Sequence, residues 1–571
     1  MELTLTEDDL PLQRMYRWER EYADRVFLTQ PYGGGRLHEW TWEQTLAEVR
    51  RIAAHLQAQG WAPGAKVGIL SKNCAWWVMA DMAIWMAGFV TVPIYPSLRP
   101  QTVRQILEHS ESKGCFIGAT DNPDMQRLGI PPGVHRIDFP NAPENGAALW
   151  DDLVGSVAPL TGYPTRSADD LATIIYTSGT TGTPKGVMHR FRAIAFDARS
   201  LIERVKTTSD DRFISYLPLA HIVERIGIEV FSILLGSQIF FVESVDTFIA
   251  DLKRARPSLF LSVPRLLIKF QQRVFQKIPR EKLERRMRIP LFGRIVKGKV
   301  LDALGLRSVR LAACGAAPLP VDLLIWYRGL GLRLAEGYGM TETLITHLPD
   351  PAAVQAGYVG PPVEGVEQRI SLDGELLIRS PMNMIGYFKD PESTRQCFDN
   401  EGFFHTGDVV GMDPDAQIRI IGRVKEQFKT SKGKYIAPAP IECRLSEHVD
   451  VEACCLMGAG CPSPFALVLL TPEARGRCVD AAERELIESS LEQQLDDVNA
   501  GLDPHERVSF LAIVQGPWSI ENGLITPTLK IRRSSLEALY AESVEGWRNQ
   551  NRRVVWESAA RPVMVAQRVD R

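Results

Sequence analysis

The sequence carries no excess of either charge. Its 571 residues include 66 Lys or Arg and 69 Asp or Glu. A protein that owed its affinity to nucleic-acid phosphates would need a basic surplus, so this balance argues against a nucleic-acid partner. The chain is also much longer than the roughly 100 to 200 residues of one domain, which predicts a large core and at least two structural units. Together these features favour chemistry on small molecules.

Cysteine is scarce and poorly placed for a metal site or a disulfide framework. The nine cysteines are odd in number, and none forms a Cys-x-x-Cys pair or lies near a His at metal-ligand spacing. We therefore expect Cys454 and Cys455 to be reduced residues of a core.

The sequence also lacks a long unbroken apolar run and a signal-like beginning. No basic segment precedes an apolar run near Met1, so we expect no secretory signal and a cytoplasmic protein. The longest apolar stretch, residues 76–94, contains Asp81, Gly88 and Pro93. Gly88 divides it into a helix-length and a strand-length piece, which predicts a buried helix and strand instead of a membrane span.

Short apolar runs alternate with helical patterns in the first half of the chain. Thr41 followed by Gln44 is a capping-box pattern that begins an amphipathic helix. Strand-like runs occupy residues 67–70, 90–94, 213–217 and 238–242. Strands that alternate with helices predict parallel sheets in an α/β fold.

The pattern changes after residues 422–425. Two candidate strands, residues 451–457 and 465–470, flank a turn and precede a charged helix at residues 481–495. The change divides the chain into three predicted parts: a large domain at 1–422, a small domain at 423–545 and a loosely packed, Arg-rich extension at 546–571.

One segment departs from the balanced charge of the chain. Residues 269–299 contain eleven Lys or Arg against Glu281 and Glu284. Such a run is typical of a solvated helical face. The alternative is a patch that meets coenzyme A phosphates or an anionic membrane surface.

The strongest chemical signal is a run of Gly, Ser and Thr after the strand-like residues 171–175. Residues 176–186 read Tyr-Thr-Ser-Gly-Thr-Thr-Gly-Thr-Pro-Lys-Gly. Glycines let backbone N–H groups approach an anion closely, hydroxyls add donors, and Lys185 adds positive charge, so the segment suits a polyphosphate. It is not a Walker A loop, because Lys185 stands between Pro184 and Gly186. The candidate phosphate-binding residues before the lysine are Thr177, Ser178, Gly179, Thr180, Thr181 and Gly182.

These residues resemble the phosphate-binding signature of the adenylate-forming superfamily, which includes acyl-CoA synthetases, luciferases and peptide-synthetase adenylation domains. Four further segments resemble the superfamily's later motifs and occur in the right order, namely residues 336–343, 405–408, 421–425 and 526–533. The resemblance spans residues 40–535. It implies a large domain of helix-flanked sheets with a β-barrel-like subdomain, followed by a small, mobile α+β domain.

The resemblance also implies how ATP is held. Glu342 is expected to bind Mg²⁺ and Thr341 to contact the α-phosphate. Tyr338 is expected to lie against the adenine ring. The backbone around the nucleotide is expected to come from Gly315, Ala316, Ala317, Glu336, Gly337 and Gly339.

The last three motifs supply the ribose contacts and the moving parts. Asp408 offers two acceptor oxygens at fixed spacing, which suits the two ribose hydroxyls, and Arg423 is expected to reach the same ribose. Lys425 is the expected hinge. Lys530 is expected to bridge the carboxylate and the α-phosphate in the first half-reaction. Leu529 stands where most of the superfamily has Gly, and long-chain synthetases resemble this sequence more closely there.

Two further segments resemble the long-chain acyl-CoA synthetase branch. They are residues 216–225, Tyr-Leu-Pro-Leu-Ala-His-Ile-Val-Glu-Arg, and residues 263–265, Val-Pro-Arg. By this resemblance His221 is expected near the carboxylate end of the acyl pocket, although a His in an apolar run is more often a core residue. Glu224 and Arg225 are candidates for a structural ion pair.

The resemblance implies a fatty acid–CoA ligase that uses ATP, Mg²⁺ and coenzyme A and forms an acyl adenylate. One alternative is a superfamily enzyme that passes the acyl group to a carrier protein or closes a β-lactone. Another is a non-catalytic sensor of nucleotide or acyl adenylate. Peripheral contact with the inner membrane face and the oligomeric state are left open.

Overall fold

The computed structural model describes residues 5–122, 128–143, 148–178, 184–519, 522–526 and 530–557, with the backbone alone at Ser178. Its strands are β1 (Val26–Pro31), β2 (Leu37–Thr41), β3 (Lys66–Leu70), β4 (Val90–Ile94), β5 (Gly114–Ile117), β6 (His135–Asp138), β7 (Ala148–Leu149), β8 (Leu171–Ser178), β9 (Pro184–Arg190), β10 (Arg212–Ser215), β11 (Gln238–Phe241), β12 (Leu259–Ser262), β13 (Leu311–Cys314), β14 (Leu334–Glu336), β15 (Tyr338–Met340), β16 (Leu344–His347), β17 (Glu367–Ile370), β18 (Glu375–Arg379), β19 (Gly386–Tyr387), β20 (Phe404–Met412), β21 (Ile418–Arg423), β22 (Phe428–Lys429), β23 (Tyr435–Ile436), β24 (Val451–Met457), β25 (Phe465–Leu470), β26 (Leu511–Val514) and β27 (Val554–Trp556).

The helices share the chain with a 3₁₀ turn at Glu7–Asp9 and a π-helix at Arg225–Val230. They are α1 (Pro11–Glu21), α2 (Trp42–Ala58), α3 (Ala75–Met86), α4 (Pro100–Ser110), α5 (Trp150–Ser156), α6 (Phe191–Val205), α7 (Ile222–Glu224), α8 (Phe231–Leu235), α9 (Phe248–Ala255), α10 (Pro264–Lys277), α11 (Arg280–Met287), α12 (Phe292–Ala303), α13 (Val321–Leu330), α14 (Pro391–Gln396), α15 (Pro438–Leu445), α16 (Pro472–Arg477), α17 (Ala481–Ala500), α18 (Arg533–Tyr540) and α19 (Val544–Asn549).

The large domain is built on helix-flanked sheets, as the sequence predicts. Its widest sheet has eight strands in the order β19-β9-β8-β4-β3-β5-β6-β7, which are parallel except where β8, β9 and β19 pair antiparallel. The large domain also contains a four-stranded sheet, in the order β10-β11-β1-β2, and a parallel three-stranded sheet, in the order β12-β13-β14. The predicted β-barrel-like part is an antiparallel sheet in the order β17-β18-β20-β21.

Several local predictions are confirmed. Thr41 accepts a hydrogen bond from the backbone N–H of Gln44, and the Gln44 side chain accepts one from Thr41 N–H, so the capping box begins α2. The apolar stretch at residues 76–94 forms the buried helix α3 and the buried strand β4. Within the described ranges, no helix combines the length and apolarity that a bilayer crossing needs.

The small domain has its own core. Strands β24 and β25 occupy the predicted residues and pair antiparallel, and β26 and β27 extend the sheet in parallel. Cys454 and Cys455 are buried and free, as predicted. The charged helix α17 continues five residues beyond its predicted end, to Ala500, and stops before Gly501.

The predicted boundary at residue 546 is wrong for the described residues up to 557. Helix α19 spans the boundary, and strand β27 is an integral edge of the small-domain sheet. Val554 and Val555 are each 1% exposed. The sequence did not indicate β27 as a strand, because its three apolar residues are flanked by arginines. Its pairing partners in β26 also lie more than 40 residues earlier, so no local pattern connects the two strands.

Two valines test the packing of β27. Val554 is 1% exposed, whereas Val479 in the same domain is 90% exposed. Val554→Ala removes buried methyl groups and should cost roughly 2 kcal/mol of unfolding free energy. Val479→Ala should change it by less than about 0.5 kcal/mol. Urea unfolding measures both, and an equally small effect at the two sites would contradict a packed β27.

Candidate active site

The phosphate-binding segment begins on a strand and returns on its neighbour. Strands β8 and β9 pair antiparallel with Thr177 opposite Lys185, one residue before the end of β8 and one residue after the start of β9. The other predicted phosphate ligands in this segment, Gly179, Thr180, Thr181 and Gly182, lie outside the described residues, as does the side chain of Ser178.

Lys185 is held by a segment that sequence analysis did not single out. Its Nζ donates to Ser393 Oγ at 2.6 Å, lies 3.6 Å from Asp390 Oδ2 and sits 4.9 Å from the centre of the Tyr387 ring. Asp390 caps α14 by accepting a hydrogen bond from Ser393 N–H. The Asp-Pro-Glu-Ser pattern at residues 390–393 signals a helix start, but nothing local connects it to a lysine two hundred residues earlier.

Glu342 lies in the turn between β15 and β16. It is buried, and its Oε1 accepts a hydrogen bond from the Tyr387 hydroxyl at 2.9 Å. Burial raises the pKa of Glu342, while this hydrogen bond lowers it. The preceding Thr341 is fixed through its carbonyl, which accepts from Nε2 of the buried His189 at 2.6 Å. Tyr387 thus contacts both Lys185 and Glu342, which places the predicted cation and the predicted acid in one site.

Asp408 and Arg423 face each other on neighbouring strands. They are paired residues of β20 and β21, and Arg423 Nε lies 2.9 Å from Asp408 Oδ1. The Tyr338 hydroxyl donates to Asp408 Oδ2 at 2.6 Å. Burial raises the pKa of Asp408, and the Arg423 charge opposes that rise. Each carboxylate oxygen can accept two hydrogen bonds, so both keep capacity for a ribose hydroxyl.

Two loops of small residues lie next to each other beside Tyr338. Gly315 to Ala317 follow β13, and Gly337 follows β14, its N–H donating to Cys314 O at 2.8 Å. A Cβ on Gly315 would lie 3.2 Å from Gly337 O, so these backbones are nearly in contact. Ala316 has a φ of 68°, a left-handed conformation that costs a non-glycine residue energy and is common at ligand sites.

Glu336 and Gly339 stabilise these loops. Glu336 Oε1 accepts from Leu319 N–H at 2.9 Å, which ties the loop after β13 to the end of β14. Burial raises the pKa of Glu336 to about 7. A Cβ on Gly339 would lie 2.2 Å from Leu344 O, so only glycine fits at this point of the β15–β16 pair.

Lys530 reaches this site from the small domain. Burial lowers its pKa, as does the positive charge of Arg423, while Asp408, Glu426 and Glu342 raise it. The residue as a whole is exposed to solvent. The charges that act on the Lys530 ammonium therefore include those of Asp408 and Arg423, predicted to bind the ribose, and of Glu342, predicted to bind the metal. The backbone N–H of Lys530 donates to Thr526 Oγ1 at 3.0 Å.

The two domains also touch beside this site. Arg265 at the start of α10 pairs with Glu452 of β24 at 2.9 Å, and Arg475 of the small domain approaches the same carboxylate at 3.8 Å. Lys425, the predicted hinge, is an exposed residue that lies two positions after the end of β21 and leads into the small domain. Its hinge role stays a prediction.

His221 lies two residues before Val223, which lines an apolar cavity. Its Nδ1 accepts from Val223 N–H at 3.2 Å, which begins α7. Burial lowers the pKa of His221 to about 4, and the nearby charge of Lys530 acts in the same direction, so the ring is neutral at pH 7. The cavity adjoins the glycine loops at Gly315 and Gly337, and its apolar walls include Leu201, Phe213, Val223, Phe231, Leu261 and Leu348.

The expected ion pair between Glu224 and Arg225 is wrong. Glu224 accepts from Ser215 Oγ and from Tyr216 N–H, both at 2.9 Å. Arg225 turns the other way and pairs with Asp81 of α3. Adjacent residues at the start of the π-helix point to different sides of the backbone, and the sequence contained no signal for that geometry.

The buried charges around Arg225 anchor the π-helix. Arg225, Asp81 and Glu229 are each at most 1% exposed, and Arg225 Nε lies 3.5 Å from Glu229 Oε2. The guanidinium also lies over the rings of Trp77 and Trp85. Burial raises the pKa of Glu229, as does the neighbouring Asp81. One arginine facing two carboxyls therefore favours a protonated Glu229.

Comparisons with known proteins agree with this geometry. A family model described as AMP-binding enzyme matches residues 15–388, and one described as AMP-binding enzyme C-terminal domain matches residues 425–551. Long chain acyl-CoA synthetase 6 of Arabidopsis thaliana, a peroxisomal protein, is 31% identical over 92% of this chain and 85% of its own. Human long-chain-fatty-acid–CoA ligase 1 is 30% identical over 90% of this chain and 82% of its own.

Similar solved structures have the same fold. The adenylation domain of a carboxylate reductase from Mycobacterium chelonae superposes with a TM-score of 0.80 at 22% identity, covering 95% of this chain and 91% of that one. At this identity the likeness concerns the fold alone.

The proton on Glu224 should make stability depend on pH. Burial raises its pKa from 4.5 to about 8, so the folded chain holds a proton that the unfolded chain releases. This stabilisation is complete below pH 4.5 and is lost as the pH rises to about 8. Gln carries no charge, so Glu224→Gln should flatten the decline of unfolding free energy in this window, by up to about 1.4 kcal/mol per pH unit.

Urea titrations at several pH values measure the effect. Exposed Glu485 in α17 supplies the matched control, since Glu485→Gln should keep the wild-type slope. Equal slopes for Glu224→Gln and the wild type would contradict a buried, protonated Glu224.

Proposed function

Because this chain belongs to the AMP-binding enzyme family, we propose that it activates a long-chain fatty acid with ATP and transfers the acyl group to coenzyme A. The first step joins the carboxylate to the α-phosphate and releases pyrophosphate. In the second step the coenzyme A thiol attacks the acyl carbon and AMP leaves. A mixed anhydride divides one difficult acylation into two easier steps.

The contacts that join Lys185 and Glu342 through Tyr387, together with the charges of Asp408 and Glu342 that act on Lys530, support this proposal most directly. A carboxylate and a triphosphate repel each other, so their reaction needs positive charge at the point where they meet. Lys530 supplies that charge from one side and Lys185 from the other.

The acidic side chains fit a Mg²⁺ ion carried by the nucleotide. Within the described ranges, no three His, Cys, Asp or Glu side chains gather into a metal site. Mg²⁺ is commonly bound by one or two carboxylates together with phosphates and water, and the buried Glu342 offers one such carboxylate. When bound, the ion would offset phosphate charge, while Tyr387 orients the carboxylate that receives it.

Apolar surface supports an aliphatic substrate. The cavity begins at the glycine loops beside Tyr338 and is lined by aliphatic and aromatic side chains. The charge of Lys530 acts on the neutral His221, and Val223, two residues later, lines the cavity, so we propose that the carboxylate of the acid lies at this end. The relatives named as long-chain ligases strengthen the choice of a fatty acid over a small acid.

The second step requires Lys530 to leave the site. We propose that the small domain turns about Lys425 once the adenylate has formed. The contact of Arg265 with Glu452 would break in that motion. Since both residues are partly exposed, the pair is expected to contribute less than about 1 kcal/mol, which allows the domain to move.

The choice of acceptor and the chain length are tested by product analysis. Incubation with ATP and palmitate should release pyrophosphate, and addition of free coenzyme A should yield palmitoyl-CoA and AMP. A panel of acids from acetate to stearate then ranks chain length. Transfer to a carrier protein but not to coenzyme A, or formation of a β-lactone, would favour the alternative second step, and no pyrophosphate release would favour a sensor.

Lys530→Ala should separate the two half-reactions. Removal of a positioned cation should slow adenylate formation by about 100- to 1000-fold. Thioester formation from supplied acyl adenylate should stay close to wild type, because Lys530 has left by then. Lys434→Ala, at an exposed lysine of the same domain, is the control. Equal losses in both half-reactions would contradict the two-orientation mechanism.

Arg533 should help to position Lys530. Arg533 lies three residues after Lys530. Its Nη2 lies 2.8 Å from Glu442 Oε1, and its Nη1 donates to Leu456 O. Arg533→Met leaves the Glu442 carboxylate without its cation and should destabilise the small domain by about 3 to 5 kcal/mol. Arg533→Lys should recover part of this loss and part of the adenylation rate.

The exposed Arg552 provides the control for Arg533, because its partner Glu488 keeps Arg484 and Trp556 as further partners. Arg552→Met should cost less than about 1 kcal/mol. Thermal unfolding and pyrophosphate release measure the set. An Arg533→Met protein with wild-type stability and adenylation rate would contradict the anchor.

A further inference from the structure

Residues 285–299 form a surface that combines exposed apolar side chains with positive charge, which we call the α11–α12 corner. It contains six Lys or Arg and no Asp or Glu. The chain ends α11 at Met287, turns through residues 288–291 and starts α12 at Phe292. The proposed reaction uses none of these residues.

The apolar side chains of the corner project into solvent. Leu291 is 78% exposed, Ile295 57%, Ile289 49% and Phe292 47%. Single exposed apolar residues are ordinary, but four within seven positions are a continuous apolar tip, and such patches mark interaction sites. None of the four belongs to the core, whose contacts in this region come from Leu283, Met287, Val296, Val300 and Leu301.

The backbone holds the tip outward. Leu291 has φ 62° and ψ −54°, and Phe292 N–H donates to Pro290 O at 2.7 Å, so Leu291 is the centre of a γ-turn of the strained, positive-φ kind. Gly293 follows at a point where a Cβ would lie 2.2 Å from Met287 O. A conformation that costs energy and exposes a leucine is more readily explained by a binding role than by stability.

The charges surround this tip. Arg285, Arg286 and Arg288 precede it, and Arg294, Lys297 and Lys299 follow it, with all but the half-buried Lys297 exposed. The nearest acidic residue before the corner, Glu284, is already paired with Arg280 at 2.9 Å. The corner therefore carries a local positive charge in a chain whose overall charge is −3.

We propose that the α11–α12 corner docks the protein on an anionic lipid bilayer. The four apolar side chains would enter the boundary between headgroups and acyl chains, and the cations around them would contact lipid phosphates. A free phosphate ligand such as coenzyme A would use the cations but leave the apolar tip unexplained. An acidic protein partner would engage the same charges, and the experiment distinguishes it.

Docking would be independent of the acylation chemistry. It would, however, bring the enzyme to the phase in which long-chain fatty acids accumulate. The contact is peripheral, since the tip consists of a few side chains and not of a spanning helix.

Vesicle sedimentation with the full-length protein tests the proposal. The wild type should sediment with vesicles of phosphatidylcholine and phosphatidylglycerol, much less with phosphatidylcholine alone, and lose binding as salt rises to about 0.5 M. Leu291→Ser with Ile295→Ser should weaken binding at least about tenfold, because two apolar side chains leave the bilayer. Arg288→Gln with Arg294→Gln should weaken it roughly 30-fold at low salt, at about fivefold per cation.

Matched controls lie on other surfaces. Leu372 is fully exposed, and Leu372→Ser should bind vesicles like the wild type. Exposed Arg20 and Lys253 supply a charge control, Arg20→Gln with Lys253→Gln. All variants should keep the wild-type unfolding temperature and rate of pyrophosphate release on acid supplied in detergent, so a failure of the proposed reaction is recognised separately.

Three results would overturn docking through the corner. The first is a wild type that stays in solution with anionic vesicles. The second is equal vesicle binding by the wild type and both corner variants. The third is a wild-type protein that does not bind vesicles but binds an immobilised acidic protein, with that binding abolished by Arg288→Gln together with Arg294→Gln.

Discussion

The repulsion between two anions is the constraint on which the arrangement of this molecule depends. A carboxylate and a triphosphate approach each other only where positive charge is concentrated, and here that charge comes from opposite ends of the chain. Lys185 is fixed on the wide sheet of the large domain, whereas Lys530 arrives from the small domain beside Asp408 and Arg423. In the proposed mechanism the division into two domains is part of the chemistry, because a separate body can deliver a cation and later withdraw it.

Local patterns were sufficient for much of the fold. The capping box of α2, the buried pair α3 and β4 and the strands β24 and β25 follow from residues close together in sequence. Predictions failed where distant segments decide the structure. Strand β27 needs β26 to complete it, and its three apolar residues carry too little periodicity to stand out among arginines.

The candidate site shows the same contrast. Motif residues identified Tyr338, Asp408 and Arg423, which the structure brings together, but not the tyrosine–aspartate–serine group that holds Lys185. That group comes from around β19 and α14, whose link to β9 is an antiparallel pairing across two hundred residues. The different partners of Glu224 and Arg225 were equally hidden, because a π-helix changes which neighbours share a face.

The pairing of β19 with β9 has a consequence for how this site can evolve. Val187 and Tyr387 are register partners, so the strand that carries Lys185 also positions the tyrosine that orients Glu342. Side chains joined through one backbone ladder do not vary independently, and the effects of substitutions at these positions should combine non-additively. A substitution at one of these positions should therefore be tolerated only in combination with particular residues at the others. A lineage that changed one of them would then need compensating changes in its partners to restore the site.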